Sequence, residues 1–514
     1  MKKILSLLFV MILTMSTLVG TGCATETVDI SDNPYTKYYK DNTHEFDFYA
    51  CHTPVPGKFW FDGVVVEEYE DFRTAERYKE YADCGFNIVY IQGNDEYDPD
   101  RNNFEKSQLK KNLDEIRKGG LSRAIITDIR IHDLSGSTTP LVGEGCRFAT
   151  YQDLLDYLKF CTDQYRYYDN GIVIGLMLKD EPQWSCLESY CLIYKALNEI
   201  WEGIRIDCCL LPLEGQKQWF VSPTTEGYDE MTKPEAYEEY LDKFCRESGA
   251  KRINMDSYPI DASNGNEYSI QTEHFRGLQI LAKVAKKYNA VLETVAHSSE
   301  TTKDLLGMQY CNKGINESEA YWQNNAYMMF GAQTFIYFTY WDKTDNHAGE
   351  YFTFGSSFIA RDGTRTEKYY YMQRIHQEMQ RFAKVIMDFK YQKVNYYYQK
   401  PTNFRTLYLD FDETAEDFGN FSELKNVESK LASVELITEM YDAKNNQYMY
   451  CVMNPQAPSN AEYNDVSSTF TLEFDKKYKA VEVWYNGNYE LLPLENGKID
   501  FTLGAGYSLY ILPY

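Results

Sequence analysis

The run Asp180-Glu181-Pro182 holds the residue types best suited to acid–base chemistry in this chain. Two adjacent carboxylates leave the backbone in different directions, so one can face a cleft while the other braces a loop. Pro182 fixes the chain just after Glu181 and limits how far that side chain wanders. Trp184 follows at once. Three other short apolar runs end on comparable groups. Asp256 and Tyr258 follow residues 253–255. Glu293 sits inside the run 290–296, with His297 next to it and Glu300 a little further on. Trp341 and Asp342 close the run that ends at Tyr340. Glycoside hydrolysis asks for such a set: two carboxyl groups flanking the glycosidic oxygen and an aromatic floor under the sugar. Plainer uses compete. Glu181 can bind backbone N–H groups at a loop start, Glu293 can pair with a buried Arg or Lys, and His297 can be a satisfied loop residue.

The elements that must position these groups follow one rhythm from residue 45 onward. Eight apolar runs, at 46–51, 86–92, 123–130, 172–178, 206–211, 253–255, 290–296 and 333–340, read as strands. Helical patterns at 71–84, 104–118, 151–168, 187–203, 234–248 and 267–287 lie between them. Tyr371, Ile375, Met379, Phe382 and Ile386 mark one face of a last helix. Strands alternating with helices at this spacing predict right-handed βαβ units, and eight of them predict an α/β fold of the (β/α)8 TIM-barrel type. The strand C-termini then converge on one mouth, which is where the carboxylates stand.

With these residues in place, the chain resembles the clan of retaining (β/α)8 glycosidases that includes the family 42 β-galactosidases and family 5 glucanases. The motifs that carry the likeness are Asp180-Glu181-Pro182, Leu210-Leu211-Pro212, Asp256-Ser257-Tyr258-Pro259, and Gly331-Ala332 leading to Phe338-Thr339-Tyr340-Trp341. The resemblance implies an acid/base at Glu181 and a nucleophile at Glu293. It implies sugar contacts from Asp180, Trp184, Asp256, Tyr258, His297 and Trp341. Asp180 stands where that clan usually has Asn, and its charge should raise the pKa of Glu181 by like-charge repulsion. Two alternatives stand beside this reading: an inverting enzyme that pairs Glu181 with Asp256, and a surface lipoprotein that captures glycan without cutting it.

After about residue 390 the pattern changes to period two, at Phe470-Leu472-Phe474, Val481-Val483-Tyr485 and Ile499-Phe501-Leu503, with Asn486-Gly487 and Asn496-Gly497 as tight turns. A barrel over 45–395 followed by a linker and small antiparallel β-sandwich over 396–514 is expected. At the other end, Lys2 and Lys3, an apolar stretch and Gly20-Thr21-Gly22 read as a signal peptide over 1–22. Cys23 resembles a bacterial lipidation site, and 23–44 would tether the fold to the outer face of the cell membrane.

A formal charge of −25 argues against nucleic acid, whose phosphates would be repelled, and suits a neutral carbohydrate. Forty-six tyrosines, within an aromatic share of 16%, agree with a sugar-lined cleft. The 12 cysteines show no CxxC pair and no metal spacing with His, so buried free thiols and no metal or cofactor are expected. Adjacent Cys208 and Cys209, in a strand, should point to opposite faces. No phosphate-binding glycine loop or GxSxG elbow is present.

Overall fold

A computed structural model describes residues 39, 41–61, 64–68, 70–92, 103–261, 269–270, 273–301, 314–347, 350–399, 409–430, 432–456 and 467–514. The expected signal segment, Cys23 and the tether up to residue 38 lie outside them. Among the described residues no helix is long and apolar enough to cross a membrane.

Eight parallel strands carry the N-terminal part: β1 Asp47–Ala50, β2 Val89–Ile91, β3 Ala124–Ile126, β4 Val173–Met177, β5 Arg205–Asp207, β6 Arg252–Asp256, β7 Val291–His297 and β8 Ala332–Phe338. They form two four-stranded parallel sheets, ordered β2-β3-β4-β5 and β6-β7-β8-β1. Hydrogen bonds also link the two sheets at their edges. The Asn87 and Ile88 N–H groups donate to the Phe48 carbonyl, and the Asp256 N–H donates to the Leu210 carbonyl at 3.0 Å. Leu210 in turn donates its N–H to Asn254 Oδ1 at 2.8 Å. Inward side chains of the two sheets meet in one cluster, with Tyr49 and Cys51 from the β1 end, Tyr90, Ile125, Met177, Cys209, Val295 and Ile336.

A helix follows each strand: α1 Ala75–Asp83, α2 Gln108–Lys118, α3 Tyr151–Thr162, α4 Trp184–Ile200, α5 Lys233–Ser248, α6 His274–Tyr288, α7 Glu317–Met329 and α8 Glu367–Ile386. Local chemistry sets their ends. Thr150 with Asp153 and Thr232 with Glu235 form reciprocal capping boxes at α3 and α5, and Gly249 ends α5 in the left-handed region. The five residues marked on α8 are all buried. One expected strand is shorter than its apolar run: β3 stops at Ile126, because Asp128 caps a helical turn over Ile129–Ser135 with its side chain.

The C-terminal part is antiparallel. One sheet has six strands: β9 Lys390–Tyr398, β11 Val434–Asp442, β12 Gln447–Met453, β17 Ser508–Pro513, β14 Ala480–Tyr485 and β15 Asn488–Pro493, in that spatial order. The other runs β10 Leu424–Ser429, β13 Ser467–Phe474, β16 Lys498–Gly504. Asn486-Gly487 joins β14 to β15 with both residues at positive φ, the conformation a two-residue hairpin needs. The expected boundary at 395/396 falls inside β9, which pairs with β11 along its whole length, so the β domain begins by Lys390.

Candidate active site

Three successive strand ends, those of β4, β5 and β6, bring chemistry to one mouth. An oxygen of Asp180, the Cys209 sulfur and an oxygen of Asp256 all lie within 4.8 Å of one another. Glu181 stands beside them. Its backbone adopts φ +43°, a left-handed conformation that costs a non-glycine residue energy, and its N–H donates to the Cys209 carbonyl at 2.9 Å. The following Pro182 is held in turn by the Tyr240 hydroxyl, which donates to its carbonyl at 2.6 Å. The chain is thus fixed on both sides of Glu181, and Asp180 and Glu181 are both solvent-exposed.

Crowding shapes the electrostatics. Although the Glu181 side chain reaches solvent, the protein packed around it and then the Asp180 charge push its carboxyl up to about 7, against the pull of Lys179. Burial pushes Asp256 well above the usual carboxylate range, and the charges of Glu181 and Asp180 add to it. The Asp256 Oδ1 atom is sealed from solvent and has no hydrogen-bond partner. Burial followed by the charges of Asp180, Asp256 and Glu181 raises the Cys209 thiol, so the thiol keeps its proton. Asp180, Cys209 and Asp256 are the residues that could hold a metal ion, two hard oxygens and one soft sulfur. Spacing gave no hint of this set, since each donor comes from a different strand.

Beside Asp256 begins a row of aromatic rings. Tyr258 packs 5.7 Å from Phe338, Phe338 meets Phe354 edge-on at 4.8 Å, and His52 stacks on Phe354 at 5.9 Å between ring centres. Burial and then the Lys343 charge drive the His52 pKa well below its ordinary value, so this ring is neutral. Sequence reasoning missed His52, Phe338, Phe354, Lys343 and Cys209 as parts of a site. His52 had a signal, since it directly follows the first apolar run. Phe354 had none, because it belongs to the rim strand Glu350–Gly355 beyond β8.

Several expected site residues are placed elsewhere. Glu293 is the third residue of β7, in register with Asn254, whereas Asp256 is in register with Val295. At about 3.3 Å per residue it lies two steps, about 7 Å, below the mouth. It is fully buried. Its Oε1 accepts from Arg205 and Arg252, each at 2.7 Å. Arg205 also binds Asp207 at 2.7 Å and pairs with Asp47. Glu293 therefore belongs to an ionic floor, and the expected Glu181–Glu293 pair does not form. Glu300 is exposed in a rim sheet and accepts from the Ser356 hydroxyl.

Trp341 is fully buried against Phe72 and cannot serve as a sugar platform. Trp184 opens α4, and the Lys243 ammonium of α5 covers its ring at 4.1 Å. His297 lies under Tyr258, buried, with its Nε2 against the Ser299 carbonyl and its backbone bracketed by the Gln323 amide. Trp322 and Tyr327 are fully buried. Cys208 packs in the large core with the helices and Cys209 in the cluster between the two sheets, and all ten cysteines among the described residues are free. Cys311 lies outside them.

No family model matches the chain, and no curated protein matches its sequence. Solved structures do superpose on it. A GH27 β-L-arabinopyranosidase from Geobacillus stearothermophilus is 9% identical with a TM-score of 0.47, over 93% of this chain and 98% of the other. A GH51 arabinofuranosidase from Xanthomonas axonopodis pv. citri is 10% identical with a TM-score of 0.42, over 92% and 96%. For a β-galactosidase from the psychrophilic Marinomonas ef1 the identity is 13% and the TM-score 0.33, over 66% of this chain and 60% of that one. These structures are glycoside hydrolases. At such distances, what this chain does rests on its own residues.

Proposed function

We propose that the protein is a glycoside hydrolase built on a closed (β/α)8 barrel, cutting a glycosidic bond in an oligo- or polysaccharide. The observation that carries this reading is the meeting of Glu181 and Asp256 at one mouth, with Tyr258 and Phe338 next to Asp256. A general acid works best with a pKa near the working pH, and Glu181 at about 7 meets that condition. In this reading Glu181 protonates the leaving oxygen and later draws a proton from water. Asp256 is the second carboxylate and replaces Glu293. Asp180 takes sugar hydroxyls, while Tyr258 and Phe338 cover the sugar's apolar face. Oxygens of Asp180 and Asp256 lie within 4.8 Å of each other, so the β4 and β6 ends approach closely. We propose retention, in which the acid/base and nucleophile carboxyl groups stand about 5–5.5 Å apart rather than the roughly 6.5–9.5 Å of inversion. An anchor at Cys23 would keep the activity at the outer face of the membrane.

Incubation of the purified protein with a glycan panel tests the proposal. New reducing ends, absent in Glu181→Gln, are the expected outcome, and proton NMR of the first product anomer reads the stereochemistry. Tight glycan binding without new reducing ends would falsify the hydrolase and leave sugar capture as the function.

A further inference from the structure

Ser257 separates the two site residues Asp256 and Tyr258, and its side chain is turned away from the mouth into the protein, almost fully buried. There it is gripped from three directions. Its hydroxyl lies 2.9 Å from Glu214 Oε1 and 2.9 Å from His274 Nδ1. Its carbonyl accepts from the Tyr327 hydroxyl at 3.2 Å. Glu214 comes from the loop after β5, His274 is the first residue of α6, and Tyr327 belongs to α7. Three neighbouring units of the barrel therefore hold one residue at the end of β6.

We propose that the Glu214–Ser257–His274 chain is a positioning device that sets the reach of Asp256 toward Glu181 and the pitch of Tyr258. This inference rests on the hydrolase reading given above. A hydroxyl has one proton and can accept as well as donate, so it can be held from both sides at once. Burial brings the His274 ring down to about 3, so it is neutral and has one N–H to place. With Glu214 ionised, the order runs from the His274 Nδ1–H to the Ser257 oxygen, and from the Ser257 O–H to the carboxylate. With Glu214 protonated it runs the other way. Either order keeps both bonds, and the clamp holds across the working pH range. His274 cannot swing aside, because Phe275, Trp322 and Tyr327 enclose its ring, with centres 5.5, 5.7 and 5.7 Å away. Glu214 Oε2 and His274 Nε2 are enclosed without partners, and Ser257 is the side chain that both residues bind. Such an arrangement is costly unless it fixes something. What it fixes is the backbone between the two side chains that face the mouth.

Ser257→Ala removes both bonds at little change in volume, and Ser257→Thr keeps the hydroxyl. Each is measured for kcat and KM on the best glycan, and by carbon-13 NMR titration of labelled carboxyl groups, with Asp256→Asn assigning the Asp256 signal. In Ser257→Ala, kcat falls about 10- to 100-fold with KM nearly unchanged, the loss expected when a reacting group is misplaced by about 1 Å. The Asp256 titration moves toward the ordinary carboxylate range as its spacing from Glu181 relaxes. Ser257→Thr restores both. His274→Ala carries the same test if Ser257→Ala does not fold. A lower melting temperature with unchanged kcat and unchanged titration overturns the proposal. If wild type cuts no glycan, the hydrolase reading falls, and the titration alone still decides the clamp.

Discussion

Glu181 follows strand β4 and Glu293 lies within strand β7, and their surroundings give these two glutamates opposite duties. Folding lifts Glu181 from its ordinary 4.5 to about 7. The folded state therefore binds more protons than the unfolded chain between those values. The stability Glu181 contributes is whole below about 4.5 and lost as pH rises through about 7. Glu181→Gln is expected to melt higher than wild type at pH 8 and no higher at pH 4, in paired thermal scans. The activity of wild type should fall with a one-proton slope above about pH 7, as the acid form of Glu181 is used up. Glu293 is an ion-pair acceptor in a closed interior. Glu293→Ala leaves Arg205 and Arg252 short of a counter-charge and should cost about 3–5 kcal/mol in urea unfolding. Glu293→Gln should still turn over substrate at a rate near wild type per folded molecule, an outcome that the expected nucleophile role forbids.

At the scale of elements, the site depends on how closely β4 and β5 approach. A Cβ placed on Gly175 of β4 would sit 1.9 Å from the Arg205 carbonyl of β5. No side-chain adjustment relieves a clash with backbone. Gly175→Ala should force the two strands apart, lower the melting temperature sharply and abolish activity together, since β4 delivers Glu181 and β5 delivers Cys209. Soluble yield and thermal scans check this. The same scale explains what the pattern of residues conveyed and what it hid. Strands with one wet face, such as β13 and β16, alternate visibly between polar and apolar residues. The central strands β11 and β12 are buried on both faces almost throughout, so their sequences carry no period of two and escaped notice.

Among the described residues the α/β part and the β domain form one packing unit. A continuous core of buried residues runs from the helices of the α/β part into the β domain. Phe382 of α8 lies 4.5 Å from Tyr510 and 5.2 Å from Trp484 between ring centres. The Trp322 indole donates to the Pro455 carbonyl at 2.8 Å, and Thr438 donates to the Met329 carbonyl at 2.7 Å. Phe382→Ala should therefore cost about 3–5 kcal/mol. Calorimetry should show a single transition that moves down as a whole. Two resolved transitions would mean that the domains melt independently.

By itself the sequence determined the alternation of strands and helices before residue 390, the period-two strands of the C-terminal part, the α8 face and the strand ends where Asp180, Glu181 and Asp256 stand. These follow from periodicity and turn chemistry, which act over a few residues. Only the tertiary structure decided which carboxylates meet. Glu293 and Asp256 each lie near the end of a strand-like run, and a difference of two residues in register puts one in the ionic floor and the other at the mouth. Trp341, Trp184 and the partners of Ser257 were likewise decided by packing between segments distant in the chain. Register and long-range contacts depend on how whole strands align, and no local pattern of residue types records that alignment.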